Sequence, residues 1–142
     1  MSSIQNVMTT DVETCRPDET ISDAAMKMKQ YHVGAIPVTQ EDNLMGMITD
    51  RDIVVRCIAE QKPESTPVSE VMSSQIITAE PDMDIHQAAK MMAEKQIRRL
   101  PIVENQRLVG IASLGDLAVD KQTDAEASFA LSEISERPEV HH

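Results

Sequence analysis

An α/β (α+β) fold made of two tandem β-α-β-β-α units is what the sequence predicts, and three observations carry that reading. The chain repeats itself in strict register, each copy holds an amphipathic helix, and each helix is followed by two short apolar runs around a polar turn. The repeat comes first, because it sets the architecture. Val7-Met8 recurs as Val71-Met72, and Pro17-Asp18 as Pro81-Asp82. Ile21, Ala24, Ala25 and Met28 recur as Ile85, Ala88, Ala89 and Met92. Pro37, Leu44, Gly46 and Asp52 return as Pro101, Leu108, Gly110 and Asp116, every pair separated by 64 positions. The copies thus align without a gap from residue 7 to residue 117, a length over which chance matches lose register.

Within copy one, Val12-Glu13-Thr14-Cys15 reads as a strand leading to the first helix. Ile21-Ala24-Ala25-Met28 follows the i, i+3, i+4, i+7 spacing of a helix with one buried stripe. Thr20 or Ser22 offers an N-cap, and Gly34 is the predicted stop. Ala35-Ile36-Pro37-Val38-Thr39 and Leu44-Met45-Gly46-Met47-Ile48-Thr49 are strand-like, and Gln40-Glu41-Asp42-Asn43 between them is a polar turn, giving a hairpin. Asp50 to Arg56 starts a second helix, with acids in its first turn. A unit of this size is marginal alone, so the two copies are expected to pack together with pseudo-twofold symmetry. The organisation read from the sequence is repeat 1 over 1–60, a polar Pro-containing linker over 61–67, repeat 2 over 68–121, and an acidic tail over 122–142. In that tail Ala127, Ala130, Leu131 and Ile134 allow one weak helix, and the end is expected to fray.

Composition narrows the function. Among 142 residues the hydrophobic share is 41% but aromatics make up only 1%, so the core must come from aliphatic residues and ten methionines. A formal net charge of −11 and a pI near 4.7 repel a phosphate backbone, and the lack of aromatics removes stacking platforms. Nucleic-acid binding is therefore not expected. Cys15 and Cys57 lack metal-ligand spacing and read as reduced core thiols. The opening Met1-Ser2-Ser3-Ile4-Gln5 has no secretory pattern and no run reaches membrane-spanning length, which predicts a cytoplasmic protein without membrane attachment.

No catalytic constellation is present. His32 and His86 occupy unmatched positions, Tyr31 is solitary, and His141-His142 is either native or a tag remnant rather than a metal site. A Gly-rich phosphate loop, a nucleophile elbow and a Cys/His cluster are all missing from the sequence. What recurs is a hydroxyl followed three positions later by an acid, where the last strand meets the next helix: Thr49 with Asp52, and Ser113 with Asp116. One reading is a capping box, in which the hydroxyl and the acid each accept a backbone N–H. The other is a ligand site, where the hydroxyl and a helix N-terminus meet phosphate and the carboxylate accepts ribose hydroxyls. The two are not exclusive. Arg98-Arg99, ahead of Leu100-Pro101, are either solvated strand-edge charges or anion ligands; the matching residues of copy one are Gly34-Ala35.

Taken together, the gapless tandem repeat, the Gly34-Ala35-Ile36-Pro37-Val38 and Arg98-Arg99-Leu100-Pro101-Ile102 strands, and the Gly-x-x-Thr/Ser-x-x-Asp endings resemble the cystathionine-beta-synthase (CBS) domain family, over residues 7 to 117. The chain is similar to stand-alone bacterial CBS pairs of the hypoxic-response type. The resemblance implies a Bateman module with two clefts between the repeats that take AMP, ADP, ATP or S-adenosylmethionine, with no cofactor required. It assigns Asp52 and Asp116 to ribose hydroxyls, Thr49 and Ser113 to positions beside ribose or phosphate, Ile77 to adenine, and Met47 and Ile111 to the pocket flanks. It further implies that Arg98 faces the cleft of Asp52, that Arg99 reaches phosphate in either cleft, and that the Asp116 cleft, offered no cation by copy one, prefers a less charged ligand. The function expected is a homodimeric, non-enzymatic sensor acting on an unidentified protein partner. Its rival is a dimeric interaction scaffold with vestigial sites.

Overall fold

The computed structural model describes residues 2–118, and these form two compact units that do not coincide with the sequence repeats. One unit is residues 13–76; the other joins residues 2–12 to residues 77–118. The mixed α and antiparallel β architecture expected from the sequence is present in both. The expectations for the tail and for the terminal histidines lie outside the described residues.

In the unit of residues 13–76, α1 (Ile21–Tyr31) starts at Thr20, whose Oγ1 accepts from the Asp23 N–H at 3.1 Å while Asp23 Oδ2 accepts from the Thr20 N–H at 3.0 Å. Ile21, Ala24 and Met28 are buried as the periodicity requires, but Ala25 is exposed, unlike its buried counterpart Ala89. The helix does not stop at Gly34. It ends at His32, which takes the left-handed conformation with φ 56° and ψ 45° and donates its N–H to the Met28 carbonyl. Gly34 has no positive φ; a Cβ there would lie 3.0 Å from Asp50 Oδ2, so this glycine provides room rather than a turn.

β1 (Ala35–Gln40) and β2 (Asn43–Thr49) form an antiparallel hairpin with Ala35 opposite Thr49 and a bulge between Val38 and Thr39. The turn is two residues, Glu41 and Asp42, both at positive φ as a type I′ connection demands. The predicted leading strand shrinks to one parallel bridge. Cys15 donates its N–H to the Pro37 carbonyl and accepts from the Thr39 N–H, at 3.0 and 2.8 Å. After β2, α2 (Asp50–Asp52) is a single turn that widens into a π-helix over Ile53–Ile58. Three successive β-branched residues, Ile53-Val54-Val55, are poor α-formers, consistent with the departure from regular geometry.

The polar stretch 61–67 is not a loose spacer. Glu64 and Thr66 offer carbonyls to the N–H groups of Ser22 and Ile21, and buried Thr66 donates its hydroxyl to the Pro63 carbonyl. The chain then enters a short 3₁₀ turn (Val68–Glu70), and Ser73 exchanges two hydrogen bonds of 2.9 Å with Met47 on the edge of β2. Pro37, opposite Met47 in β1, gives its carbonyl to Cys15, while Met47 turns its N–H and carbonyl away from β1 to Ser73. Val68 and Val71 are fully buried with Cys15, Ile36, Val38, Ile48 and Cys57.

The second unit is built alike. α3 (Ile85–Lys95) buries Ile85, Ala88, Ala89 and Met92 and ends at Gln96, again with φ 56° and ψ 45°. β3 (Arg99–Glu104) pairs with β4 (Arg107–Ser113) around a type I′ turn at Asn105 and Gln106, and α4 (Leu114–Ala118) follows. The leading bridge is Ala79 with Ile102, and the segment docked on β4 is Thr9, which exchanges bonds of 2.8 and 2.9 Å with Ile111. Ile4 is fully buried among Leu100, Ile102 and Leu117. Each repeat therefore lends its opening Val-Met segment to the unit that carries the other repeat's hairpin.

Gly46 and Gly110 make this docking possible. A Cβ at Gly46 would stand 2.5 Å from the Ser73 carbonyl oxygen, and one at Gly110 would stand 2.9 Å from that of Thr9. Backbone cannot yield as a side-chain tip can, so Gly46→Ala is expected to cost about 1–3 kcal/mol in urea-unfolding experiments, as for overpacked sites. A second prediction concerns pH. Burial pushes the Cys15 thiol from 9.0 up to about 11, against the opposing pull of Lys27. The folded state keeps a proton that the unfolded chain releases, so this stabilisation is whole below pH 9 and is lost as pH rises to 11. The wild-type stability should therefore fall through that window relative to Cys15→Ala, measured as the difference in urea midpoints.

Candidate functional site

The two recurring hydroxyl–acid pairs sit at equivalent junctions, one in each unit. At the end of β2, Thr49 is in extended conformation, φ −116° and ψ 162°, and starts α2. Its Oγ1 accepts from the Asp52 N–H at 3.0 Å, and Asp52 Oδ2 accepts from the Thr49 N–H at 3.0 Å. At the end of β4, Ser113 Oγ accepts from the Asp116 N–H at 3.1 Å and Asp116 Oδ2 from the Ser113 N–H at 3.0 Å. The capping box is formed in both places. It uses one oxygen of each carboxylate and leaves Oδ1 outside the box, so capping and ligand binding can share the residue. Each junction is closed by one more bond: the Asp50 N–H donates to the Gly34 carbonyl at 2.9 Å, and the Leu114 N–H to the Arg98 carbonyl at 3.2 Å.

Beyond the caps the junctions diverge. Asp52 Oδ1 lies 3.9 Å from Nη1 of Arg56, one helical turn on. Arg56 also donates to the Met72 carbonyl at 3.1 Å and approaches Ser73 Oγ at 3.5 Å, so it ties the junction to the docked segment. Sequence reasoning passed over Arg56, although an acid and a base four apart on a helix is a legible signal. In the other unit Arg99 stands opposite Ser113 in the β3–β4 register. The residue is half-buried, and among the described residues its buried Nε has no hydrogen-bond partner. Burial pushes Arg99 below the ordinary arginine value, and the Asp116 carboxylate pulls it back up. The Asp116 junction thus has a cation of its own, from its own repeat.

The expected site residues divide between the units. Met47, Thr49 and Asp52 belong to residues 13–76; Ile77, Arg98, Arg99, Ile111, Ser113 and Asp116 belong to the other unit. Met47 and Ile111 are buried, yet each alternates with a core residue, Ile48 or Ala112, and so lies on the opposite face of its hairpin. Ile77 is 36% exposed, and the Arg98 side chain is exposed. Among the described residues no group of three or more His, Cys, Asp or Glu side chains could hold a metal ion, and no helix is long and apolar enough to cross a membrane.

The junctions, the hairpins and the gapless duplication meet in one family. The profile described as "CBS domain" matches residues 4–58 and again 68–119, and the chain belongs to the CBS-domain family. It is 50% identical over 135 residues to the CBS domain-containing protein YhcV of Bacillus subtilis, covering 95% of this chain and 96% of that one. It is 32% identical over 120 residues to hypoxic response protein 1 of Mycobacterium tuberculosis, covering 83% and 84% of the two chains. A solved structure of Hypoxic Response Protein I with two coordinated zinc ions superposes with a TM-score of 0.77 at 31% identity, covering 84% of this chain and 98% of that one. CBSX2, solved in complex with AMP, matches in fold with a TM-score of 0.77 at 20% identity over 88% and 99%. CBS pairs are regulatory modules, and this chain matches YhcV and hypoxic response protein 1 over most of their length.

Removing a capping hydroxyl leaves a backbone donor without its partner. Thr49→Ala and Ser113→Ala are each expected to lower ligand-free stability by about 1 kcal/mol in chemical denaturation. Asp52→Asn should cost less, because the amide oxygen still accepts the Thr49 N–H.

Proposed function

We propose that the chain is a regulatory module that senses an adenine nucleotide or adenosyl compound, AMP, ADP, ATP or S-adenosylmethionine, and performs no catalysis itself. The observation that carries this reading is the shared design of the two junctions. Each holds a carboxylate fixed in a capping box by one oxygen, with the second oxygen outside the box. A carboxylate so fixed is prepared to accept a pair of ribose hydroxyls at little further entropic cost. Membership of a regulatory family supports it, as does a protein of the same fold solved with AMP. In this reading Thr49 and Ser113 lie beside ribose or phosphate, Arg98 and Arg99 supply positive charge, and Ile77, Met47 and Ile111 line the apolar part of the ligand. The module acts in the cytoplasm and passes the signal to a protein partner, which requires the ligand to bind two arrangements of the chain unequally.

A second reading rests on the π-helix. Val54, Val55 and Ile58 are 56%, 45% and 64% exposed, an apolar surface that suits pairing with a second copy of the chain. Homodimerisation is compatible with sensing; on its own it would make the protein a scaffold. Thermal unfolding against AMP, ADP, ATP, S-adenosylmethionine and adenosine, with GTP as control, separates the two. A ligand at a hundredfold excess over its Kd should add about 2.7 kcal/mol, a rise of several degrees in Tm. The rise should be lost in Asp52→Asn or Asp116→Asn when each variant is compared with its own ligand-free Tm. No shift with any adenine compound would leave the scaffold.

A further inference from the structure

Methionine stands in for aromatic residues throughout this chain, and two of its ten methionines hold repeat-equivalent places where segments dock. Met8 precedes Thr9, and Met72 precedes Ser73, the residues that pair with β4 and β2. Each thioether lies over a glycine of the strand that receives it. A Cβ on Gly110 would stand 2.6 Å from Met8 Sδ, and one on Gly46 would stand 3.0 Å from Met72 Sδ. Both side chains pack against the core of their unit, yet both residues are only half-buried. A side chain at that depth is within reach of a small dissolved oxidant, as fully buried Met92 is not.

One added oxygen changes what such a side chain can do. A sulfoxide is polar and chiral, and its oxygen calls for a hydrogen-bond donor that a thioether does not need. The amides beside each notch are already engaged, Ile111 with Thr9 and Met47 with Ser73. An oxygen held in the notch is therefore buried without a donor, and a side chain swung out to water strips apolar cover from the core. Both results weaken the docked segment. The thiols compete poorly for the same oxidant. Cys15 and Cys57 are each 1% exposed, and burial pushes the Cys15 thiol up to about 11, whereas the reactive form is the thiolate.

We propose that Met8 and Met72 are sites of reversible oxidation, at which a peroxide loosens the docking of the opening segments on β4 and β2. In the forward step Sδ attacks one oxygen of hydrogen peroxide, the O–O bond breaks and an S–O bond forms. The proton on the transferred oxygen passes to the departing hydroxide, which leaves as water; the sulfur gives up two electrons and the peroxide takes them. The return step uses a dithiol reductase, whose two thiols become a disulfide while the sulfoxide oxygen leaves as water. Exposed Met26 and Met45 belong to neither core, so they take up oxygen without disturbing the docking.

Hydrogen peroxide added to the full chain, followed by peptide mass mapping and amide hydrogen exchange, tests this. Mapping should show oxygen on Met26 and Met45 first, then on Met8 and Met72, with Met92 unchanged. Exchange at the N–H groups of Thr9, Ile111, Met47 and Ser73 should quicken about tenfold or more in step with the second pair, as for an overpacked site. Treatment with a methionine sulfoxide reductase and dithiothreitol should restore the slow exchange. Met8→Leu/Met72→Leu, close in volume to wild type, should keep slow exchange under peroxide while Met26 and Met45 still gain oxygen. If that variant does not fold, the wild-type time course decides. The proposal is overturned if Met8 and Met72 carry oxygen while the four amides stay protected, or if neither is oxidised until the whole chain unfolds. Loss of protection in the leucine variant to the same extent as in wild type overturns it as well.

Discussion

The docking of each opening segment depends on a close backbone approach at a glycine, Gly46 in one unit and Gly110 in the other. Met47 exchanges a pair of hydrogen bonds with Ser73, and Ile111 with Thr9, each across a gap that a single methyl group at Gly46 or Gly110 would close. These bonds complete strands whose hairpin partners carry proline at the facing position. They also bring Val68 and Val71 into one core and Ile4 into the other. Were the docked segments displaced, each hairpin would keep its turn and register but lose an edge and part of its hydrophobic cover.

The same docking reaches the candidate sites through few steps. Ser73 pairs with β2 on the side away from β1, and two residues after Met47 the strand delivers Thr49 to the start of α2. Arg56 then bridges back from the π-helix to Met72 and Ser73 while standing near Asp52. The junction is thus assembled from two stretches distant in sequence, the continuous run from β2 into the π-helix and the docked Met72 and Ser73. The capping hydroxyl, the carboxylate and the helix start hold one another in place.

Much of this was legible in the residues. The gapless repeat fixed the element order, the helix stripes located α1 and α3, and polar turns separated the hairpin strands. The hydroxyl–acid spacing marked both junctions, since a capping box is a local device written in four consecutive residues. What escaped was non-local. A repeat shows that two segments are equivalent but not which copy each one packs against, and so the exchange of the opening Val-Met segments had no signature in the sequence. Gly34 reads as a helix stop because glycine usually supplies the left-handed residue there. His32 and Gln96 supply it instead, and the glycine makes room for Asp50. The polar composition of residues 61–67 reads as a linker, and composition carries no record of the carbonyls there that accept from the first N–H groups of α1. Asp116's arginine was visible as a residue; its placement beside Ser113 needed the strand register.

The exchanged openings bear on how such a chain could have arisen. A gene encoding one copy of the repeat would specify a hairpin with a vacant edge and a Val-Met segment with nothing in its own copy to dock on. Two such chains could complete each other by trading segments. Tandem duplication turns that trade into an intramolecular one, free of any dependence on concentration. Once the copies are joined, they are also free to drift apart in charge, as Gly34-Ala35 and Arg98-Arg99 have done, because each junction no longer needs to be the image of the other.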